Sequence, residues 1–282
     1  MDEDDDFTDP KCWIKCTPSL GETVTEKYLS NQVLMAKNQP SQLVGVLTKN
    51  FNLFCHSEMQ WIPDQYIIDN MAPVDILDFK DETCYIGVDL ASVSDLTCTA
   101  ALWPPNYSRR MYPDKWVFKV FSYLPESRIE HPTNGILYQS WKNDGYLDVT
   151  PGNSTDYDYI LKEQKKIANW CDLVMMGYDP YNSRQWAIDC TNEGLPLAEF
   201  GQSIGNFSRP TKELEKLILD GKVVFDRNPI IRFCFLNSEI KEDHNENTKP
   251  FKAGGDKNKK IDAVVAIITA LGTYLAEGIG IE

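Results

Sequence analysis

Three aspartates stand where a carboxylate needs a reason. Asp89 lies inside the apolar run Cys84-Tyr-Ile-Gly-Val-Asp89-Leu, Asp179 closes Leu173-Val-Met-Met-Gly-Tyr-Asp179, and Asp262 opens Lys260-Ile-Asp262-Ala-Val-Val-Ala. An unpaired buried carboxylate costs several kcal/mol or takes up a proton, so such a position calls for a cation or hydrogen-bond donors. Three of them brought together suit Mg²⁺ or Mn²⁺, hard ions that prefer carboxylate and water oxygens. Two such ions, about 3.5 to 4 Å apart, can activate water and stabilise the leaving oxygen in phosphodiester cleavage. Histidine-based zinc chemistry is disfavoured, because the three histidines, His56, His131 and His244, have no metal-ligand spacing. The eight cysteines form no CxxC pair, which removes the signal for a zinc ribbon or a thioredoxin-like motif.

These acids must be positioned by specific elements. Residues 84–90 form a short apolar run suited to a buried strand, followed by a polar turn and the runs 97–103 and 116–123, which suggests an antiparallel meander. A helical pattern over 156–170 then feeds the apolar strand ending at Asp179, and a strand, helix, strand passage favours parallel pairing with the first strand. Adjacent parallel strands would bring Asp89 and Asp179 to one end. Further helices are expected over 133–142, 181–193, 211–220 and 229–237, with short strands near Leu197 and Val223.

The last long helix begins near Ile261. Its apolar stripe runs through Ile261, Val264, Val265, Ile268 and Leu271 at helical spacing. The line through Asp262, Ala266, Thr269 and Thr273 is small, so this helix could approach a sheet closely and deliver its carboxylate. Among 42 acidic residues each aspartate alone is a weak signal, since a helix-start Asp is more often a cap or a dipole partner. The order strand Asp, strand-end Asp, helix-start Asp is what joins them, and it points to a ribonuclease-H-like metal nuclease. The expected fold class is α/β, a mixed sheet of the RNase H/integrase type flanked by helices.

Composition sets outer bounds. The 282 residues, 42% of them apolar, can bury a sizeable core. No apolar stretch reaches the roughly 20 residues of a membrane span, and the acidic start lacks the features of a secretory signal, so a cytoplasmic location is expected. A net charge of -14 argues against broad adhesion to nucleic acid, which rests on Lys and Arg displacing counterions. DNA contact would therefore be local. The strongest local cation cluster is Lys249, Lys252, Lys257, Lys259 and Lys260, just ahead of Asp262. It reads either as a flexible phosphate-contacting loop or gate, or as a plain solvated turn. Lys260 alternatively neutralises the acids when metal is absent. Arg184, five residues after Asp179, is a candidate for bidentate phosphate binding.

Phe200-Gly-Gln-Ser, Ser208-Arg-Pro-Thr-Lys-Glu-Leu-Glu-Lys-Leu-Ile-Leu-Asp-Gly-Lys, Asn228-Pro and Lys260-Ile-Asp-Ala-Val-Val-Ala resemble the large terminase subunit of tailed phages in the HK97-like group. Trp13-Ile-Lys-Cys-Thr-Pro-Ser-Leu-Gly and Trp61-Ile-Pro are similar to the segment that joins that family's motor to its nuclease. Helical patterns over 24–36 and 41–53, and a short one near Pro63, make residues 1–75 a helical lead-in, and the resemblance implies a ribonuclease-H-like nuclease domain over 76–282. It implies cleavage of concatemeric double-stranded DNA in the host cytoplasm with Mg²⁺ or Mn²⁺, two ions, held by Asp89, Asp179 and Asp262. Asp95 matches a further acidic position, though a turn Asp bonding its own backbone explains it as well. Portal protein and the small terminase subunit are the implied partners. The sequence contains no GxxxxGK[ST] loop, so the ATPase motor is expected on a missing N-terminal part. A portal- or DNA-docking module with little cleavage, and a resolvase-like nuclease of the same fold, are the competing readings.

Overall fold

The computed structural model describes residues 5–38, 46–47, 49–52, 60–91, 96–181, 183–256 and 258–277. They fall into two compact units, Met1–Met59 and Gln60–Glu282. The first holds helices α1 (Trp13–Cys16) and α2 (Glu26–Asn38), whose Trp13, Leu29, Val33 and Ala36 gather with Phe51 in a small core of their own. Of the helical lead-in expected over 1–75, residues 1–4, 39–45, 48 and 53–59 lie outside the described residues.

The second unit is built on one mixed sheet. Its strands are β1 (Met71–Ala72), β2 (Thr83–Asp89), β3 (Thr97–Trp103), β4 (Trp116–Pro125), β5 (Leu147–Thr150), β6 (Asp172–Tyr178), β7 (Leu197–Glu199) and β8 (Val223–Asp226). They lie in the order β1-β8-β4-β3-β2-β6-β7, and β5 pairs the far end of β4. The expected meander is present, since β2, β3 and β4 pair antiparallel in sequence. Parallel pairing of β2 with β6 is present too. All seven residues of β3 are buried, which fits a central strand covered on both faces.

The helices of this unit are α3 (Asp64–Asp69), α4 (Gly135–Asn143), α5 (Tyr157–Trp170), α6 (Arg184–Asn192), α7 (Ile204–Leu219), α8 (Pro229–Leu236) and α9 (Asp262–Glu277). Alternation along the strands decides what each face meets. Cys84, Ile86, Val88, Ala101 and Trp103 pack against Leu161 and Ile167 of α5 and Trp186 of α6. Tyr85, Cys98, Ala100 and Leu102 point the other way, into a core shared with α7, α8 and α9. Asn228 caps α8 by accepting from the Ile230 N–H at 2.9 Å and donates to the Val120 carbonyl at 3.1 Å, which ties α8 to β4. Helix α7 starts seven residues earlier than expected, at Ile204, and carries Pro210 inside it. Ser203 caps it by accepting from the Asn206 N–H at 3.2 Å, and buried Phe207 anchors the first turns, which together outweigh the proline.

A second, two-stranded sheet was not expected. Strands β9 (Ser238–Glu242) and β10 (Thr248–Lys252) form an antiparallel hairpin. Lys249 and Lys252 therefore sit on a registered strand, a correction to the flexible loop expected there. Asp243 at the hairpin turn accepts from the N–H groups of Asn245 and Asn247 at 2.8 and 2.9 Å, which fixes the reversal.

Candidate functional site

Two glycines and a helix determine where the three aspartates go. Gly87 and Gly177 face each other in the β2–β6 register. A methyl group on Gly87 would stand 2.1 Å from the Ala266 carbonyl oxygen and 2.2 Å from the Ala270 nitrogen of α9. One on Gly177 would stand 1.8 Å from the Thr273 hydroxyl and 3.2 Å from the Thr269 methyl. Helix α9 thus lies directly on the two strands, through the small line that the sequence pointed to.

The levels then follow from geometry. From Gly87 to Asp89 is two strand residues, about 6.6 Å on the same face. From Ala266 back to Asp262 is four helical residues, about 6 Å in the same direction. These rises carry Asp89 and Asp262 a similar distance past the glycine contact. Asp179 follows Tyr178, whose register partner is Val88, so the β2–β6 register continued by one residue leads Asp179 towards Asp89. Asp262 is 6% exposed, and the other two are half-buried.

Two neighbouring groups each feel the charge of a pair of these acids. Burial lowers the Lys249 pKa below its ordinary value, and the charges of Asp89 and Asp179 oppose that shift. The thiol of Cys98, the register partner of Asp89, is pushed well up by burial, with Cys234, Asp262 and Asp89 adding to it. Asp89 Oδ1 accepts from the Gln202 side-chain amide at 2.9 Å. Asp179 Oδ1 accepts from the Tyr181 N–H at 3.1 Å, which sets the turn after β6. Among the described residues, no group of three or more His, Cys, Asp or Glu side chains is drawn together closely enough to hold an ion. The donor set is oxygen only, as a hard ion requires.

The remaining candidates are scattered around this centre. Arg184 is exposed at the start of α6 and lines a cavity of about 380 Å³ with Tyr178, Pro180 and Glu199. Lys260 is only 3% exposed, and burial lowers the pKa of half-buried Lys259. Their loop is held in place: Asp256 accepts from the Asn258 N–H at 2.8 Å, and Asn134 before α4 donates to the Asn258 carbonyl at 2.8 Å. Asp95 and Lys257 lie outside the described residues. Sequence reasoning gave Gln202 no role and treated Lys249 as a loop cation. A neutral amide carries no charge signal, and the β9–β10 hairpin that brings Lys249 to the acids went unpredicted.

A family profile described as "Terminase large subunit, endonuclease domain" matches residues 1–278. The chain belongs to that family. Protein YmfN of Escherichia coli (strain K12) is 30% identical to it over 96% of this chain and 61% of that protein. The crystal structure of the HK97 bacteriophage large terminase superposes with a TM-score of 0.65 at 26% identity, covering 96% of this chain and 55% of that one. The large terminase nuclease from thermophilic phage G20c with bound magnesium shares the fold, with a TM-score of 0.51 at 11% identity over 76% of this chain and 97% of that one. The terminase nuclease domain thus spans a little over half the length of the HK97 relative, and its sheet is the ribonuclease-H-like one that the order of acids pointed to.

Proposed function

We propose that this terminase domain is a metal-dependent endonuclease that cleaves concatemeric double-stranded DNA during phage genome packaging, with Asp89, Asp179 and Asp262 holding the ions. The observation that supports this reading is α9 lying on Gly87 and Gly177, the glycines two residues before Asp89 and Asp179. The magnesium named for the G20c nuclease of the same fold supports Mg²⁺ or Mn²⁺ here. When bound, a pair of such ions supplies an activated water and charge stabilisation for the leaving oxygen.

The chain's own groups orient and balance that centre. Gln202 holds one oxygen of Asp89, and the ammonium of Lys249 offsets the charge of Asp89 and Asp179 when no cation is present. Burial of Lys260 beside Asp262 fits the same neutralising role better than direct phosphate contact. Phosphate contact falls instead to the more open Arg184 and Lys259, and to Lys257. The partners are double-stranded DNA, the portal protein, the small terminase subunit and an ATPase motor domain, and the host cytoplasm is the place of action. Among the described residues, no helix is long and apolar enough to cross a membrane.

The test is Mn²⁺- or Mg²⁺-dependent nicking of supercoiled plasmid. Wild-type protein should cleave, and Asp89→Ala, Asp179→Ala and Asp262→Ala should each fail while keeping the wild-type circular dichroism spectrum. Cleavage by all three variants would remove the assignment. The net charge of -14 favours a second reading, a portal-docking module with weak cleavage. That reading requires portal binding without metal uptake.

A further inference from the structure

The acid next to the centre of the sheet is not held by the sheet alone. Asp89 is the last residue of β2, and a strand-end carboxylate has freedom about its side-chain torsions. Its Oδ1 is held at 2.9 Å by the Gln202 amide, and Gln202 is itself fastened from several directions. Phe200 donates its N–H to the Tyr178 carbonyl at 2.7 Å, continuing the β7 edge alongside β6. The Phe200 ring fills the space over Gly272 of α9, where a methyl group would stand 2.3 Å away. The Gly201 carbonyl accepts from the Asn206 side-chain amide at 3.0 Å.

The Gln202 carbonyl accepts from Lys249 Nζ at 2.5 Å, and that ammonium lies 5.0 Å from the centre of the Phe207 ring. Ser203 caps α7. The hairpin that supplies Lys249 is pinned to α7 in turn, because the Thr248 N–H donates to Ser208 Oγ at 3.2 Å and Lys212 Nζ donates to the Glu246 carbonyl at 2.6 Å. Every residue of Phe200-Gly-Gln-Ser thus has a partner, and the only side chain of the four that reaches an acid of the candidate centre in these contacts is Gln202.

We propose that Gln202 is the positioning residue of the metal centre: it fixes the rotation of the Asp89 carboxylate for ion binding, and Lys249 on the hairpin fixes Gln202. An amide suits this task. It donates to the carboxylate without adding positive charge that would compete with the cation, and a glutamate there would repel Asp89. The inference rests on the metal-nuclease reading. Partners of this kind, one step behind a metal ligand, typically change metal affinity 10- to 100-fold when removed.

The experiment is Mn²⁺ binding to the full chain without DNA, measured by titration calorimetry, for wild type, Gln202→Met and Gln202→Asn. Gln202→Met keeps bulk and loses the donor, so its Mn²⁺ affinity should fall about 10- to 100-fold with the melting temperature nearly unchanged. Gln202→Asn keeps an amide on a chain one methylene shorter, and should fall in between. If Gln202→Met does not fold, the Asn variant decides by the same criterion. Binding within twofold of wild type in a folded variant overturns the role of Gln202 and leaves the nuclease reading standing. Absence of Mn²⁺ binding by wild type itself overturns both.

Discussion

Two of the three acids are carried by strands and one by a helix, and the two arrangements are protected by different means. Asp89 and Asp179 stand at the ends of neighbouring strands because β2 and β6 share a parallel register, which backbone hydrogen bonds enforce regardless of side-chain size. In the proposed centre Asp262 joins them only because α9 can descend onto glycine. Its level depends on how closely Ala266, Ala270 and Thr273 approach Gly87 and Gly177. A register is nearly all-or-none, since a one-residue slip inverts every side chain. Helix depth is graded, and one methyl group can change it.

Either arrangement can be disrupted by a single substitution. Loss of any acid is the largest expected effect: Asp89→Ala, Asp179→Ala or Asp262→Ala should lower plasmid cleavage by about a thousandfold or more, since metal-borne charge stabilisation is worth several kcal/mol. Gly87→Ala comes next. Its methyl group meets backbone atoms at 2.1 and 2.2 Å, which no rotamer can relieve. It should destabilise the domain by about 3 kcal/mol or more and lower Mn²⁺ affinity through Asp262, as read by denaturant titration and calorimetry.

Gly177→Ala is the sharper probe, because its closest contact is the Thr273 side chain. We expect a loss of about 1 to 3 kcal/mol, largely recovered in the double variant Gly177→Ala, Thr273→Ala. Absence of any recovery would show that α9 is held off by backbone at both glycines. The smallest effect should lie on neither set of elements. Arg232 of α8 donates to both oxygens of Asp64, at 2.7 and 2.6 Å, in an open ion pair. The bond from Arg232 holds the Asp64 pKa below 3.8. Its contribution is therefore present above about pH 4 and lost as pH falls through the lower folded value. Solvent screening keeps it to a few tenths of a kcal/mol, so Asp64→Asn should shift melting by about 1 °C at pH 7 and by progressively less as the pH falls below about 4.

The same contrast explains what could be read from the chain. The strand-end places of Asp89 and Asp179 were legible because apolar runs announce buried strands, and a helix between two such runs implies parallel neighbours. The small line Asp262, Ala266, Thr269, Thr273 was legible as a face able to approach a sheet, and Gly87 and Gly177 are the complementary surface that spacing alone did not pair with it. Ser238 to Glu242 and Thr248 to Lys252 were hidden, because each run alternates only weakly and Pro250 speaks against a strand. With that hairpin went the place of Lys249. Gln202 was quoted as part of a motif, but an uncharged donor declares its partner only when the fold brings it to Asp89. The start of α7 was misplaced because Pro210 outweighed Ser203 in a local reading.

The most direct test is a crystal of this domain soaked in Mn²⁺, with an anomalous difference map calculated at the manganese edge. Density for at least one ion is expected in contact with Asp89 and flanked by Asp179 and Asp262. A map without a peak there, from crystals in which those side chains are ordered and open to solvent, would contradict the proposed centre.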